Sequence, residues 1–218
     1  RLRELEVYCE IHPFNKVHDE FLKKFNPKAI ILSGGPASVL NDDAPKPPSS
    51  IYDLEIPILG ICYGQQIMMK MLGGSVSGSG TSEFGKSFVN INNKSKDIKF
   101  LEGLFLDEGK EEVWMSHGDH VATIPRDFEV YGISENAPFA IIGNEKKHFY
   151  GVQFHPEVIH TLNGKKLIKN FLKLSNFSFN WSMQSYLQQS LEEIKMKVGN
   201  KKVICALSGG VDSSVTAI

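Results

Sequence analysis

Short, strongly apolar segments alternate with helix-like segments along most of this 218-residue chain, and this alternation limits the possible folds more than any other feature. Several of the apolar segments are rich in β-branched residues and lead at once into glycine or a polar turn, as buried strands do. They are residues 7–11, 29–33, 56–61, 113–116, 139–143, 149–154 and 203–207. The helix-like segments are residues 17–25, 64–72, 164–174 and 182–198. The pattern predicts an α/β fold with a mostly parallel central sheet flanked by helices.

The central part of the chain and its last forty residues depart from this simple alternation. Between about residues 76 and 134, polar and apolar residues alternate, which predicts additional antiparallel strands. Beyond residue 175, Ser182 is placed to cap a helix that carries its apolar residues on one face. We therefore interpret 1–175 as one domain, 176–200 as a linker and bridging helix, and 201–218 as the start of a second α/β domain.

Charge and cysteine usage exclude several classes of protein. Twenty-four basic and 25 acidic residues give a net charge of −1, so no basic excess drives binding to nucleic acid or membranes. Cys9, Cys62 and Cys205 are odd in number and far apart, which favours neither a disulfide framework nor a zinc site. No apolar stretch approaches the roughly 20 residues that a membrane span needs. We expect a cytoplasmic protein without a nucleic-acid or membrane partner.

A cysteine lies at the junction between a predicted strand and a predicted helix, in Gly60-Ile61-Cys62-Tyr63-Gly64. The pattern G-x-C-x-G is that of a nucleophile elbow with sulfur in place of oxygen. Glycines two residues to either side permit a strained turn and close backbone packing. The N-terminus of the following helix favours the thiolate. The alternative is an ordinary buried cysteine at the end of a strand.

A histidine and a glutamate flank Pro156 at the end of the strand predicted at 149–154. Proline keeps His155 extended, so His155 and Glu157 point to the same side. A carboxylate there can orient the imidazole while the other ring nitrogen meets a thiol, as in Cys-His-acid triads. Alone, the segment is equally explained by a histidine at a strand end and a solvated glutamate. Combined with the cysteine elbow, it indicates catalysis.

Two glycine-rich turns follow predicted strands. At 33–36, Ser-Gly-Gly-Pro allows bare backbone to approach a ligand, and its N–H groups could form an oxyanion hole with that of Tyr63. At 208–214, Ser-Gly-Gly-Val-Asp-Ser-Ser precedes the start of a helix, an arrangement that can hold an anion. This second turn lacks the spacing of a Walker P-loop. Either turn could also be an ordinary strand-to-helix connection.

Together, the motifs SGGP, GICYGQQ, WMSHGD, GVQFHPEV and SGGVDSS resemble those of the glutamine-hydrolysing GMP synthase family. The cysteine elbow and HPE mark the wider class I glutamine amidotransferases, and SGGVDSS on the same chain narrows the resemblance. It implies a flavodoxin-like amidotransferase domain over 1–175 and the beginning of an ATP pyrophosphatase domain at 201–218. Members of the family begin with a strand and a DFGSQ-like turn that this sequence lacks, so we expect that strand to be missing.

The resemblance also implies a role for each site residue. Cys62 would attack the side-chain amide of glutamine, His155 would transfer the protons, and Glu157 would hold the imidazole. The N–H groups of Gly35 and Tyr63 would stabilise the oxyanion. The residues that would line the glutamine pocket are Gln66, Ser116 and His117. The residues that would grip the phosphates of ATP are Ser208, Gly209, Gly210, Val211, Asp212, Ser213 and Ser214.

For the whole enzyme, the resemblance implies a carbon–nitrogen ligase of purine nucleotide biosynthesis. ATP, with Mg²⁺, would adenylate XMP, and ammonia released from glutamine would displace AMP to give GMP. The partners of this chain would be its own synthetase domains, and the full-length protein would be a homodimer. XMP contacts, most ATP contacts and any metal site would lie outside these 218 residues.

Three other interpretations stay open at the level of sequence. Amidotransferase subunits for anthranilate or carbamoyl phosphate synthesis share the elbow and HPE, but they lack SGGVDSS fused behind them. A degenerate domain that serves only as a docking surface has no physical need to keep Cys62, His155 and Glu157. A cysteine hydrolase acting on peptides or small aldehydes is disfavoured by Gln66 and SHGD, although only through the resemblance.

Overall fold

The computed structural model describes residues 1–78, 82–95, 97–105 and 109–217. The strands, in chain order, are β1 Ile30–Leu32, β2 Ile58–Ile61, β3 Ser75–Ser77, β4 Glu83–Ile91, β5 Lys110–His117, β6 His120–Thr123, β7 Glu129–Ile133, β8 Ile141–Asn144 and β9 Phe149–Val152. The α-helices are α1 Asp19–Phe25, α2 Tyr63–Met71, α3 Gly164–Leu174, α4 Met183–Val198 and α5 Val211–Ala217. All four predicted helices are present, with bounds that differ by at most two residues from those expected.

Seven of the strands form one sheet in the order β1-β2-β9-β8-β7-β4-β5, and β3 pairs with β6 in a separate ribbon. The α/β fold is confirmed. Parallel pairing is confined to β1, β2 and β9 at one end of the sheet. The remaining pairs are antiparallel, and they include the strands that alternation predicted between residues 76 and 134.

Helices cover both faces of the parallel part of the sheet, which explains why β2 and β9 are buried along their whole length. On one face, Phe171 of α3 packs edge-on against Tyr150 of β9, with ring centroids 6.5 Å apart. On the other face, Met68 of α2 is buried with Ile58 and Phe149. Replacing a fully buried phenylalanine such as Phe171 by alanine costs about 3–5 kcal/mol, so this packing fixes the helices firmly on the sheet.

Two predicted strands, 7–11 and 203–207, are not strands in the structure, and these two predictions were wrong. Strand hydrogen bonds run to a neighbouring strand, so an apolar run becomes a strand only where a sheet edge is available to it. Neither segment pairs with another across the described residues. Ile11 and Ile204 are each 95% exposed as a result. The segment 201–217 therefore contains α5 alone, and Ile218 lies outside the described residues.

Helix α4 begins where the sequence predicts. The Ser182 hydroxyl accepts a hydrogen bond from the Ser185 amide at 3.1 Å, and Ser185 reciprocates in a capping box. Trp181 ties the start of the helix to the first domain, because its amide donates to the Glu6 carbonyl at 2.9 Å. The predicted apolar face of α4 is largely exposed: Met183, Tyr186, Leu187, Leu191 and Ile194 are each at least 37% accessible.

Candidate active site

Cys62 occupies a strained turn between β2 and α2, with φ 50° and ψ −109°. A non-glycine residue at positive φ is uncommon and costs of order 1–3 kcal/mol, so its surroundings must impose it. A Cβ on Gly60 would lie 2.7 Å from the Gln65 backbone, and one on Gly64 would lie 1.9 Å from the Leu32 carbonyl oxygen. Both flanking glycines are therefore required by close backbone packing, as the elbow pattern predicts.

The sulfur of Cys62 is almost enclosed, since the residue is 5% exposed. Its Sγ lies 3.6 Å from the carbonyl oxygen of Ser116, at the end of β5. On another side it lies 3.7 Å from Nε2 of Gln153, just after β9. The thiol is thus held where the ends of β2, β5 and β9 meet.

His155 is fixed from both its backbone and its side chain. Its amide donates to the Trp114 carbonyl at 3.0 Å, and its own carbonyl accepts from the Thr161 hydroxyl at 2.6 Å. Its Nδ1 lies 2.7 Å from Oε1 of Glu157, which leaves Nε2 as the ring nitrogen available to the thiol. The hydrogen bond with Cys62, and then the one with Glu157, raise the pKa of His155 to about 10. At neutral pH an imidazolium therefore faces the sulfur, the charge state that stabilises a thiolate.

The turn after β1 lies directly against this pair. A Cβ on Gly34 would be 2.9 Å from Cε1 of His155 and 3.7 Å from Cβ of Cys62. A Cβ on Gly35 would be 3.9 Å from the Tyr63 ring. Tyr63 is the first residue of α2, where a backbone N–H has no intrahelical acceptor. The structure thus brings together the two residues that the sequence predicts as oxyanion donors, Gly35 and Tyr63.

The residues predicted to line a glutamine pocket are placed differently from one another. Ser116 is exposed at the mouth of the site, and its carbonyl faces the thiol. Gln66 is 3% exposed, and its Nε2 donates to the Asp119 carbonyl at 2.7 Å. His117 is turned into the protein: its Nδ1 lies 3.1 Å from the same carbonyl, and its Nε2 lies 3.3 Å from Oε2 of Glu83.

Sequence reasoning missed two residues beside the site, Glu83 and Gln153. Glu83 is buried, and its carboxylate accepts hydrogen bonds from the hydroxyls of Ser134 at 2.7 Å and Ser87 at 2.9 Å. Burial lowers the pKa of His117, and the hydrogen bond with Glu83 opposes this effect. Glu83 gives no local signal, because two of its partners, His117 and Ser134, come from distant segments of the chain. Gln153 could have been found, since it lies two residues before His155 on an extended segment.

The second glycine-rich turn is compact but exposed. The hydroxyls of Ser208 and Ser213 lie 3.0 Å apart, and the Ser214 hydroxyl donates to the Gly210 carbonyl at 2.9 Å. Gly209 has φ +80°, a conformation that favours glycine. The other residues predicted for ATP, Val211 and Asp212, begin α5. None of these seven residues contacts Cys62 in the described part of the chain.

In the part of the chain that the structure describes, no three histidine, cysteine or acidic side chains come together in a way that could hold a metal ion. Over the same residues, no helix has both the length and the apolar character needed to cross a membrane.

Comparison with known proteins agrees with this geometry. The sequence profile of the glutamine amidotransferase class-I family matches residues 1–174. The glutamine-hydrolysing GMP synthase of Dinoroseobacter shibae is 58% identical over 219 residues, which is all of this chain and 42% of that protein. That of Rhizobium etli is 50% identical, again over the whole chain and 41% of its own length. The chain therefore spans about two-fifths of the length of the curated relatives that it matches.

Solved structures show the same likeness. One from Thermoplasma acidophilum, provisionally described as that of a GMP synthase subunit, has a TM-score of 0.68 and 28% identity, covering 89% of this chain and 88% of that one. A glutamine amidotransferase from Thermotoga maritima has a TM-score of 0.50 and 26% identity, covering 77% of this chain and 65% of that one. The profile match extends over the elbow, the histidine and the glutamate described above. This chain belongs to the class I glutamine amidotransferase family.

Proposed function

We propose that this chain is the glutamine-hydrolysing part of a GMP synthase and that it supplies ammonia for the amination of XMP. One observation carries the proposal: a strained, buried Cys62 lies beside the His155 imidazole, which Glu157 holds at 2.7 Å. The 50–58% identity with GMP synthases over the whole chain supports the choice of pathway.

The first half-reaction follows from the charge states of the site. The Cys62 thiolate attacks the side-chain carbonyl carbon of glutamine, and the carbonyl electrons move onto oxygen. The N–H groups of Gly35 and Tyr63 would stabilise this oxyanion: Gly35 lies beside the Tyr63 ring, and Tyr63 begins α2 directly after Cys62, where its N–H has no intrahelical acceptor. His155 gives its proton to the nitrogen as the tetrahedral intermediate collapses. Ammonia leaves, and a γ-glutamyl thioester remains.

In the second half-reaction, His155 acts first as a base instead of an acid. A water molecule gives a proton to the neutral His155 and attacks the thioester carbonyl. The carbon–sulfur bond breaks, glutamate is released, and the imidazolium–thiolate pair forms again. Glu157 keeps the ring oriented through both steps and stabilises its positive charge.

Substrate recognition would fall to the surface around the sulfur. Ser116 is exposed and its carbonyl faces the sulfur, whereas Gln66 is buried and bonded to Gln153, which contacts the sulfur. We assign His117 an indirect role in the glutamine pocket: its ring is committed to Glu83 and to the Asp119 carbonyl, so it supports the loop rather than reaching the substrate.

The ATP-dependent step would involve residues beyond this chain. Ser208 to Ser214 would contribute a phosphate-binding turn, which is supported by the hydroxyl network around the Gly210 carbonyl. The exposed apolar residues of α4 and of 203–215 favour packing against further domains, because side chains such as Leu187 and Val203 are left in solvent here. We propose those domains, in a cytoplasmic homodimer, as the partners. Mg²⁺ would neutralise the phosphates of ATP, and no step of glutamine hydrolysis is assigned to it.

Labelling with an electrophilic glutamine analogue, followed by peptide mass spectrometry, tests the proposal on the 218-residue chain itself. Cys205 is exposed and Cys62 is buried, so exposure alone predicts that Cys205 reacts first. The proposed function predicts selective labelling of Cys62, with protection by excess glutamine. Cys9 and Cys205 serve as internal controls. Equal rates at all three cysteines, or labelling of Cys62 that glutamine does not slow, would contradict the proposal.

A further inference from the structure

Gln153 is a buried amide in direct contact with the Cys62 sulfur. The residue is 1% exposed, and its Nε2 lies 3.7 Å from Sγ of Cys62. Its Oε1 accepts from Nε2 of Gln66 at 3.4 Å. Its backbone amide donates to the Ala140 carbonyl at 2.9 Å, which fixes the residue at the end of β9. A buried polar side chain with both ends occupied has one defined orientation.

The direction of these hydrogen bonds is set by the backbone carbonyl of Asp119, at one end of the chain of contacts. The Asp119 carbonyl can only accept, so the group of Gln66 that faces it must be the NH2. The same NH2 supplies the hydrogen bond to Gln153, which must therefore present its carbonyl oxygen to Gln66. The NH2 group of Gln153 then faces the sulfur. Asp119, Gln66, Gln153 and Cys62 thus form a chain in which each amide donates in a set direction.

The N–H donor of Gln153 matters because the other groups that contact the sulfur do not all favour the same form of Cys62, thiol or thiolate. The Ser116 carbonyl is an acceptor, so it stabilises the protonated thiol. The His155 imidazolium, with Glu157 behind it, stabilises the thiolate. The titratable side chains of His117, the residue after Ser116, and Glu83 bond to each other. A hydrogen bond from an amide to an anion is stronger than one to a neutral group, so the Gln153 N–H also favours the thiolate.

We infer that Gln153 is a positioning residue of this site, which holds the Cys62 thiolate in place through a directed hydrogen-bond chain anchored by Gln66 and the Asp119 carbonyl. The inference rests on the proposed function to the extent that Cys62 is the nucleophile. It adds a residue outside the Cys-His-Glu set, and it gives Gln66 a second task besides lining the glutamine pocket.

The experiment measures how fast iodoacetamide alkylates Cys62 as a function of pH, with the Cys62 peptide quantified by mass spectrometry. The variants are Gln153→Met, which keeps the size of the side chain and removes the donor, and Gln65→Met as the matched control. Gln65 is also fully buried, but its Nε2 donates to the Phe139 carbonyl and not to the sulfur. We expect Gln153→Met to move the midpoint upward by about one pH unit and to slow alkylation near neutrality about tenfold. Gln65→Met should leave the midpoint unchanged.

A second variant guards against loss of folding. Gln153→Glu keeps the acceptor that Gln66 needs and places a negative charge at the sulfur, so its midpoint should move up further than that of Gln153→Met. A midpoint equal to that of the unmodified chain in the folded variants would overturn the inference, and so would an equal shift in Gln65→Met. The proposed function fails separately: there, excess glutamine would not slow the labelling of Cys62 in the unmodified chain.

Discussion

Oε1 of Glu157 lies 2.7 Å from Nδ1 of His155, and Pro156 is the one residue between them in the chain. The backbone is not extended here as the sequence predicts: Pro156 and Glu157 lie in a turn, and this turn brings the carboxylate to the ring. The other carboxylate oxygen, Oε2, is buried without a hydrogen-bond partner among the described residues. The carboxylate of Glu157 therefore bonds to the imidazole of His155, and a substitution of Glu157 should affect catalysis through that ring.

The variant Glu157→Gln should move the alkaline limb of glutamine hydrolysis to lower pH. The pKa of His155 is raised from 6.5 to about 10, so its protonated form stabilises the site fully below 6.5 and is lost as pH rises through 10. The hydrogen bond with Glu157 is the second-largest cause of this raised pKa. Glu157→Gln weakens it, so His155 loses its proton at a lower pH. We also expect at least a roughly tenfold loss of kcat near neutrality, since the ring is less well oriented.

The pH–rate profile of ammonia release measures this effect. Glu192→Gln, an exposed change on α4, is the control and should leave the profile unchanged. If the alkaline limb of Glu157→Gln coincided with that of the unmodified chain, Glu157 would not set the protonation of His155.

Gly34→Ala should impair catalysis while leaving the fold almost unaffected. The added Cβ would lie 2.9 Å from Cε1 of His155, so the imidazole must shift by several tenths of an ångström. A misplaced general acid of this kind can cost about 10²-fold in kcat. Gly118→Ala is the control, because nothing lies within 4 Å of its Cβ position and no role in catalysis is assigned to this residue. Steady-state hydrolysis and thermal unfolding of both variants would check this, and equal kcat values would contradict it.

The main candidate residues could be placed near one another from the sequence, because each of them lies within three residues of the end of a strand. Gly34 follows β1, Cys62 follows β2 and His155 follows β9. These strands are parallel neighbours, so their carboxyl ends meet at one edge of the sheet. The local motifs singled out these residues as candidates, and the topology brings them together.

The remaining features depend on contacts between distant segments, which a single sequence does not encode locally. Ser134 and Glu83 are 51 residues apart, and their hydrogen bond is part of what turns His117 away from the thiol. The segments 7–11 and 203–207 have the composition of strands, but a strand also needs a neighbouring edge. Their apolar pattern indicated burial without saying what would cover them.

Gly64→Ala should destabilise the domain strongly. Its Cβ would lie 1.9 Å from the Leu32 carbonyl oxygen, and backbone on both sides leaves no flexible group to move. We expect a loss of roughly 3 kcal/mol in the free energy of unfolding, at the upper end for overpacked cores. Gly118→Ala is the control, since nothing lies within 4 Å of its Cβ position. Urea unfolding of both variants measures the difference, and similar midpoints would show that α2 can move away from β1.

Cys62→Ala separates the two activities that the proposed function assigns to different domains. In a full-length GMP synthase that carries these 218 residues, the variant should lose glutamine-dependent GMP synthesis by roughly 10⁴-fold or more, because no nucleophile remains. Synthesis from added ammonium salt should persist, since it bypasses the Cys62 site. Alanine also has a Cβ and can take the same turn, so the fold should survive. Cys205→Ala is the control for general cysteine effects. Equal loss of both activities would mean that the cysteine site and the amination site are not separate, contrary to the division of labour proposed here.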